Sequence, residues 1–444
     1  MDILVQQNLT KKNLIVVDIG FDAIKVLDAN IVKGKIKILK AFTIPKAYRY
    51  FGNNELNMIP EMVGEIHKRL KDLGVRTKEV RVVLPSVCTQ YKTIEAKAIK
   101  DKELAAFIVN ESGSMLSKAS STVNCTDWCV LGQSENGEES TKTCIVTSIP
   151  RKIAFGIASQ FEKLKYSVKV MTIPLLTMRS AADLYKADYE HPVKMYVDFG
   201  ATSVRMIVAN AGEVTFTREY YVGGHNIINE IYEEIVGSSS SESVMGTSGL
   251  TIDSLKNILG TIGVSLISAT ESEEDAYTDF TSDDTSASMY DSYESYNAAM
   301  GVTETAQVEE TPAVEEKKEL TEEEIQAQAV KSEAEDKLME FGMSLVQYNE
   351  LVEKHYDAVI SEVIKTLDFC GEGINKPTKI IYSGGMTKVK GFIERLDEAV
   401  DLALEEFNPV EHSTGSGYSI EYIAGTKVDS SYMNAVGVCT DVLV

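Results

Sequence analysis

Two stretches of this chain share one pattern. Val16–Lys25 reads VVDIGFDAIK, and Tyr196–Val208 reads YVDFGATSVRMIV. In each, an apolar run ends in Asp-x-Gly and a second apolar run follows. Asp18 and Asp198 offer carboxylates of the kind Mg²⁺ takes one or two at a time, with water filling its remaining positions. Gly20 and Gly200 admit backbone angles closed to other residues. A tight turn there, completed by Phe21 or by Ala201 and Thr202, aims successive N–H groups at one spot and makes an anion nest. Lys25, on the returning strand, adds a cation for a phosphate. Thr202 and Ser203 contribute hydroxyls. One such turn is an ordinary hairpin, but its recurrence 180 residues later is an internal duplication.

Two glycine pairs extend the set. Gly223-Gly224 precedes a helix expected at Asn226–Glu234, and a helix start behind glycines lets a phosphate or ribose approach closely. Ser383-Gly384-Gly385-Met386 follows the apolar run Lys379–Tyr382, where the glycines allow a planar ring to lie against backbone. His225 adjoins the first pair and borders a ribose at most; His67 and His355 lie on expected helices with no chemistry to assign.

These turns need strands and helices to aim them. Strands are expected at Leu14–Val17, Ile24–Ala29, Lys35–Ile44, Val80–Leu84, Thr126–Leu131, Thr143–Ser148 and Val168–Ile173. Helices are expected at Pro60–Leu73, Asp101–Leu116, Lys152–Leu164 and Leu175–Lys186. The pattern restarts with strands Val193–Asp198, Ser203–Ala209 and Glu213–Tyr221. Ser238–Thr311 changes composition to Ser, Thr, Gly, Glu and Asp, with tyrosines among the acids of Asp275–Asn297. Such a stretch buries too little apolar area to offset its ordering entropy, so it reads as disorder with one short ordered piece at Leu255–Leu266. Helix resumes from Leu320 to about Phe369, then at Val389–Leu402 and Met433–Leu443.

The 444 residues exceed one ordinary domain. A formal charge of -23, from 67 acidic and 44 basic side chains, removes nucleic acid as a partner, since that needs basic surface. The six cysteines are scattered and read as free thiols of a reducing compartment. The N-terminus shows no secretory signal pattern, no stretch suits a membrane span, and the C-terminus shows no amphipathic tail. Membrane association is therefore expected through a partner, without direct insertion.

The order of these motifs resembles the actin, Hsp70 and sugar-kinase superfamily. Its α/β fold has two duplicated lobes, each giving one phosphate turn, and an adenosine motif near the C-terminus; SGGMTKVKGF is similar to that motif. Within the superfamily, KELAAFIVNES, TDWCVL and EVTFTREYYVGGHNIINEI resemble the type IV pilus assembly protein PilM family, a relative of FtsA with a small subdomain inserted in the first lobe. The resemblance covers about residues 12–236 and 325–444. It implies a first lobe core at 12–83 plus 140–192, the inserted subdomain at 84–139, and a second lobe core at 193–237 plus 350–444. An acidic, largely disordered insert at 238–324 and a helical part of a fourth subdomain at 325–349 complete the division.

The resemblance further implies an ATP site with Mg²⁺. Asp18, Gly20, Phe21, Lys25, Asp198, Gly200, Ala201, Thr202, Gly223, Gly224, Ser383, Gly384, Gly385 and Met386 hold the nucleotide, with Asp18 and Asp198 toward the metal. Actin carries a water-orienting Gln in the turn that corresponds here to Ile173, Pro174 and Leu175. None of these can activate water, and Thr172 and Thr177 are weak substitutes, so hydrolysis is expected to be slow or absent. The implied role is a cytoplasmic scaffold at the inner membrane. It docks the N-terminal tail of a PilN-type protein in a groove beside the inserted subdomain and links it to pilus motor components; self-association stays open. The alternatives are an FtsA-like division filament protein and a small-molecule kinase of the same superfamily. Residues Gly246–Thr311 are expected to be dispensable for nucleotide binding.

Overall fold

In the computed structural model, residues 11–52, 55–116, 122–136, 139–238, 249–263, 322–370, 376–413, 416–423, 426 and 428–440 are described. The chain opens with strands β1 (Lys11–Ile19), β2 (Ala23–Val32) and β3 (Lys35–Pro45). The short hairpin β4 (Phe51–Gly52) and β5 (Glu55–Leu56), helix α1 (Ile59–Asp72) and strand β6 (Glu79–Val83) follow. Then come β7 (Gln90–Lys97), α2 (Asp101–Glu111), β8 (Asn124–Asn136) and β9 (Glu139–Pro150). Helix α3 (Arg151–Lys163), β10 (Ser167–Thr172) and α4 (Pro174–Ala182) lead to a second series. It comprises β11 (Val193–Phe199), β12 (Val204–Asn210), β13 (Glu213–Tyr220), α5 (Gly224–Ser238) and α6 (Ile252–Ile262). After α7 (Glu322–Glu340) and α8 (Leu345–Cys370) the chain ends through β14 (Lys379–Ser383), α9 (Phe392–Ala399), β15 (Ala403–Glu406), α10 (Pro409–His412), β16 (Ser419–Tyr422) and α11 (Met433–Gly437).

The chain divides into two compact units, Met1–Val264 with Ala334–Val444, and Ser265–Glu333. Of the second, only the start of α7 is described. Within the first, a six-stranded sheet runs β10-β6-β1-β2-β3-β16 and a five-stranded sheet runs β13-β12-β11-β14-β15. Each is a mixed sheet buried on both faces, which explains the near-continuous apolar strands. Alternation decides the layers. Ile15, Val17 and Ile19 face outward onto α1 and α3, whereas Leu14 and Val16 face inward. Met195, Val197 and Phe199 pack on α5, α6, α8 and α9, whereas Tyr196 faces inward. Helices α4 and α11 fill the middle, between the two sheets. The result is five alternating layers of helix and sheet.

Several boundaries differ from the sequence reading. The smaller sheet, β7-β9-β8, includes β9, so residues 140–150 pair with the inserted strands and not with the first lobe's sheet. Strand β7 was hidden because Gln90–Lys97 is mostly polar and exposed on alternate residues. Strand β16 pairs parallel with β3, so the C-terminal part of the chain returns to the first sheet. Gly342, with φ near +86°, breaks the long helix expected from Leu320 into α7 and α8. Gly391, with φ near +81°, delays α9 to Phe392. Helix α6 matches the expected short ordered piece, and its Leu255, Ile258, Leu259 and Ile262 are buried in the second lobe's core. Truncating from Gly246 would remove that helix, which corrects the idea that Gly246–Thr311 is dispensable. The rest of the acidic stretch, including Asp275–Asn297, lies outside the described residues. No helix among the described residues is long and apolar enough to cross a membrane.

A candidate nucleotide cleft

The two Asp-x-Gly turns meet at one cleft. Strands β1 and β2 pair antiparallel with Asp18 opposite Lys25, and β11 and β12 pair with Asp198 opposite Arg205. The hairpins are thus the same object built twice, down to a cation seven residues after each aspartate. Sequence reasoning found Lys25 but missed Arg205, although its spacing from Asp198 was the available signal. The turns also close alike: Gly20 N–H donates to Ala23 O at 3.1 Å and Gly200 N–H to Ser203 O at 3.0 Å. Neither glycine has positive φ. Glycine is required because a Cβ would stand 2.6 Å from Ala23 O or 2.7 Å from Ser203 O.

The cleft holds about 390 Å³. Asp18, Gly20, Phe21, Lys25, Asp198, Gly200, Ala201, Thr202, Gly224, Gly384, Gly385 and Met386 line it. Gly223 and Ser383 are not in its wall. Gly223 lets the second turn sit against α5, since a Cβ there would meet Gly200 O at 2.4 Å. Ser383 is buried, its hydroxyl 3.6 Å from the Met433 sulfur. The first N–H groups of α5 are also spoken for: Gly224 donates to Gly200 O at 3.2 Å and His225 to Ala201 O at 2.7 Å. That helix start therefore braces the second turn instead of offering free donors. Sequence reasoning also missed Ile228, Leu259 and Val389, which give the cleft an apolar wall, and Lys256 and Asn434.

The electrostatics of the two aspartates differ. Asp198 Oδ2 accepts from Arg205 Nη1 at 2.8 Å and from Asn434 Nδ2 at 2.9 Å. Arg205 Nε also reaches Ser86 Oγ at 2.8 Å and Glu219 Oε1 at 3.1 Å. Burial opposes the guanidinium charge, but Asp198, Glu219 and Asp18 together raise its pKa. Among the described residues, the one ion pair of Asp18 is with Lys25, at 3.9 Å. Burial pushes its carboxyl up to about 6, the Asp198 charge adds to this, and Lys25 and Arg205 oppose it. Among the described residues no three His, Cys, Asp or Glu side chains gather as a metal cage. Asp18 fits the single-carboxylate mode of Mg²⁺, whereas Asp198 Oδ2 is committed to Arg205 and Asn434.

A testable consequence concerns stability. A raised carboxyl binds its proton more tightly folded than unfolded, so the contribution of Asp18 to stability is present below about pH 4 and is lost as pH rises toward 6. Asp18→Asn should therefore stabilise the ligand-free protein at pH 7.5 by on the order of 2 kcal/mol. The gain should vanish near pH 4. Urea unfolding at both pH values measures it, and a destabilised variant at pH 7.5 would contradict it.

The stretch Val170–Ser180 contributes Pro174 to the cleft. Thr172 and Thr177 are fully buried, and Thr177 Oγ1 lies 2.8 Å from both Pro174 O and Asn434 Oδ1. Meanwhile all four carboxylates lining the cleft face a cation. They pair Asp18 with Lys25, Asp22 with Lys256, Asp198 with Arg205, and Asp429 with Lys388.

The inserted subdomain has its own core, in which Leu104 and Ile108 of α2 cover Ile94, Ala96, Cys144 and Val146 of the small sheet. Its other face rests on β13 of the second lobe. Thr93 Oγ1 meets Thr217 Oγ1 at 2.8 Å, and Gln133 N–H donates to Glu213 Oε2 at 3.2 Å. At Gly132 a Cβ would stand 2.3 Å from Val214 O.

This architecture has known counterparts. The solved PilM–PilN type IV pilus biogenesis complex matches with a TM-score of 0.62 and 11% identity, covering 98% of this chain and 99% of that one. The ethanolamine utilization protein EutJ from Carboxydothermus hydrogenoformans matches with a TM-score of 0.41 and 8% identity, over 99% of this chain and 92% of that chain. MreB 5 of Spiroplasma citri bound to AMPPNP gives a TM-score of 0.39 and 10% identity, over 91% and 95%. No curated protein sequence matches this chain. The two lobes, each with its sheet and Asp-x-Gly hairpin, have the actin-like fold. The family model for type IV pilus assembly protein PilM matches residues 16–244, more than half of the chain. With both Asp-x-Gly hairpins and the inserted sheet inside that span, the chain belongs to the PilM family of type IV pilus assembly proteins.

Proposed function

We propose that this chain is an ATP-binding scaffold of a type IV pilus assembly machine, and that it hydrolyses ATP slowly or not at all. The observation that carries the nucleotide reading is the pair of duplicated hairpins facing one cleft with an apolar wall. In this reading the turns at Gly20 and Gly200 cradle phosphates, Lys25 supplies charge, and Gly385, Met386, Ile228 and Leu259 enclose the base. Bound Mg²⁺ would neutralise phosphate charge, with Asp18 nearest. Slow turnover is supported by the turn Ile173-Pro174-Leu175, which reaches the cleft with Pro174 and carries no side chain that can orient or deprotonate water. Saturating Mg-ATP should stabilise the protein by about 3–4 kcal/mol, read by thermal unfolding. An unmoved transition at millimolar Mg-ATP would overturn the nucleotide site.

Family membership and the likeness to a PilM–PilN complex support a PilN-type tail as the partner, with pilus motor components beyond it. The protein would then sit at the cytoplasmic face of the membrane through that tail. Titration of the cognate PilN N-terminal peptide into the full chain should give micromolar affinity, about 8 kcal/mol. Flotation with bare liposomes, without the peptide, would overturn recruitment by a partner.

A further inference from the structure

The first lobe's sheet is basic at the end opposite the cleft. Asp18 stands at the cleft end of β1, and the other end of that strand starts beside the β2–β3 turn, with Lys11 opposite Val32. Strands β6 and β10 run parallel with β1, so they start on the same edge. The turn and the connections into those two strands carry Lys33, Lys35, Arg76, Lys78 and Lys165, all exposed. Across β10-β6-β1-β2-β3 this row spans about 20 Å. Among the described residues none of the five forms an ion pair, although Asp72, Glu79 and Glu162 are near in sequence. The chain that carries them has a formal charge of -23.

Two of the five stand where lysine is a poor conformational choice. Lys33 and Gly34, with φ near +48° and +77°, form a two-residue hairpin turn of the kind that favours Asn-Gly. Lys165, with φ near +64°, closes helix α3 at the position that favours glycine. Its N–H donates to Glu162 O at 2.9 Å, and Tyr166 N–H donates to Phe161 O at 3.0 Å. Both turn tips thus accept strain and present a cation. Lys78 is set in the row by the Tyr166 ring, 4.3 Å from its ammonium. Leu73, in the connection from α1 to β6, adds an apolar tip that is 40% exposed. A line of unpaired cations with an apolar tip beside it fits a broad anionic surface with an apolar layer beneath. An acidic protein segment would use the charges and leave Leu73 without a purpose.

We propose that this basic sheet end rests on anionic phospholipid headgroups once a partner tail has brought the chain to the membrane. The contact is interfacial and needs no spanning segment. It rests on the recruitment reading above and adds an orientation, with the cleft end of β1 pointing away from the bilayer. The acidic remainder of the surface is repelled by the same headgroups. The row therefore strengthens the hold on a tethered chain and does not capture a free one at physiological salt.

The test uses the full chain and vesicles that carry the cognate PilN N-terminal peptide on a lipid tether. One kind is pure phosphatidylcholine and the other is mixed with phosphatidylglycerol. Wild type should bind the mixed vesicles about tenfold more tightly, and added salt should narrow the gap. The combined variant Lys33→Asn, Lys35→Gln and Lys165→Asn should lose most of that gain. It should unfold in urea no more easily than wild type, since asparagine suits both left-handed positions. Lys186→Gln, Lys354→Gln and Lys376→Gln together remove equal charge from exposed positions elsewhere and should keep the gain. Equal binding to both vesicles by wild type, or a gain that the two combined variants lower alike, overturns the proposal. So does binding of polyglutamate through the row without any lipid preference, which would assign the row to an acidic protein. A wild type captured by neither vesicle removes the recruitment reading as well, an outcome separate from capture by both alike.

Discussion

Gly384→Ala is expected to destabilise the protein by at least about 3 kcal/mol, while Gly385→Ala, one residue on, leaves folding within about 0.5 kcal/mol. Gly384 has φ near +106°, where an L side chain is strained. Its Cβ would also stand 2.3 Å from Phe199 O and 2.7 Å from Phe199 N, both backbone atoms at the end of β11. Those atoms cannot yield without disturbing the pairing of β14 with β11, which keeps Asp198 opposite Ser383. Gly385 has helical angles and open space where a Cβ would go. That space is cleft, so the added methyl should instead weaken ATP binding roughly tenfold. Urea unfolding and nucleotide titration of the two variants separate the effects. Equal stabilities would mean that Gly384 is not forced by its backbone, and unchanged ATP affinity in Gly385→Ala would move the base elsewhere.

Arg205→Met is expected to cost about 3–5 kcal/mol, because it leaves charges buried without their partner. Asp198 and Glu219 are both nearly inaccessible, and Ser86 would lose its donor as well. The measurement is again urea unfolding at neutral pH. Adding Asp198→Asn and Glu219→Gln to Arg205→Met should recover part of the loss, since neutral amides are cheaper to bury than charges. A single variant as stable as wild type would show that the guanidinium does not hold these groups together.

Much of the site was legible before the structure. The two Asp-x-Gly hairpins were recognisable because a buried strand that ends in a tight turn leaves an apolar run followed by a small residue, and duplication repeats it. Arg205 was harder to see, since one arginine among strand residues looks like any solvated side chain until its register with Asp198 is known. Lys256 was invisible for another reason. Its place in the cleft depends on α6 crossing to Asp22 from the opposite lobe, and no local pattern encodes a contact across that sequence distance. The roles of the glycines were also misread in part. Gly20 and Gly200 looked like residues of unusual φ, but a carbonyl three residues on is what excludes a side chain. Strand β16 escaped notice because a four-residue edge strand carries little periodicity.

The inserted subdomain is tied by covalent chain to the first lobe, yet it rests on β13 of the second. It is therefore a splint. Any rotation that spreads the lobes apart has to slide Thr93 past Thr217 and lift Gly132 off the Val214 backbone, in addition to breaking contacts at the cleft mouth. Where two lobes meet only around a ligand, emptying the cleft frees the hinge. Here part of the resistance to opening lies outside the cleft and persists when the cleft is empty. The ligand-free protein should thus keep a narrow range of lobe angles, and whatever presses on the inserted sheet from outside gains mechanical leverage on the cleft.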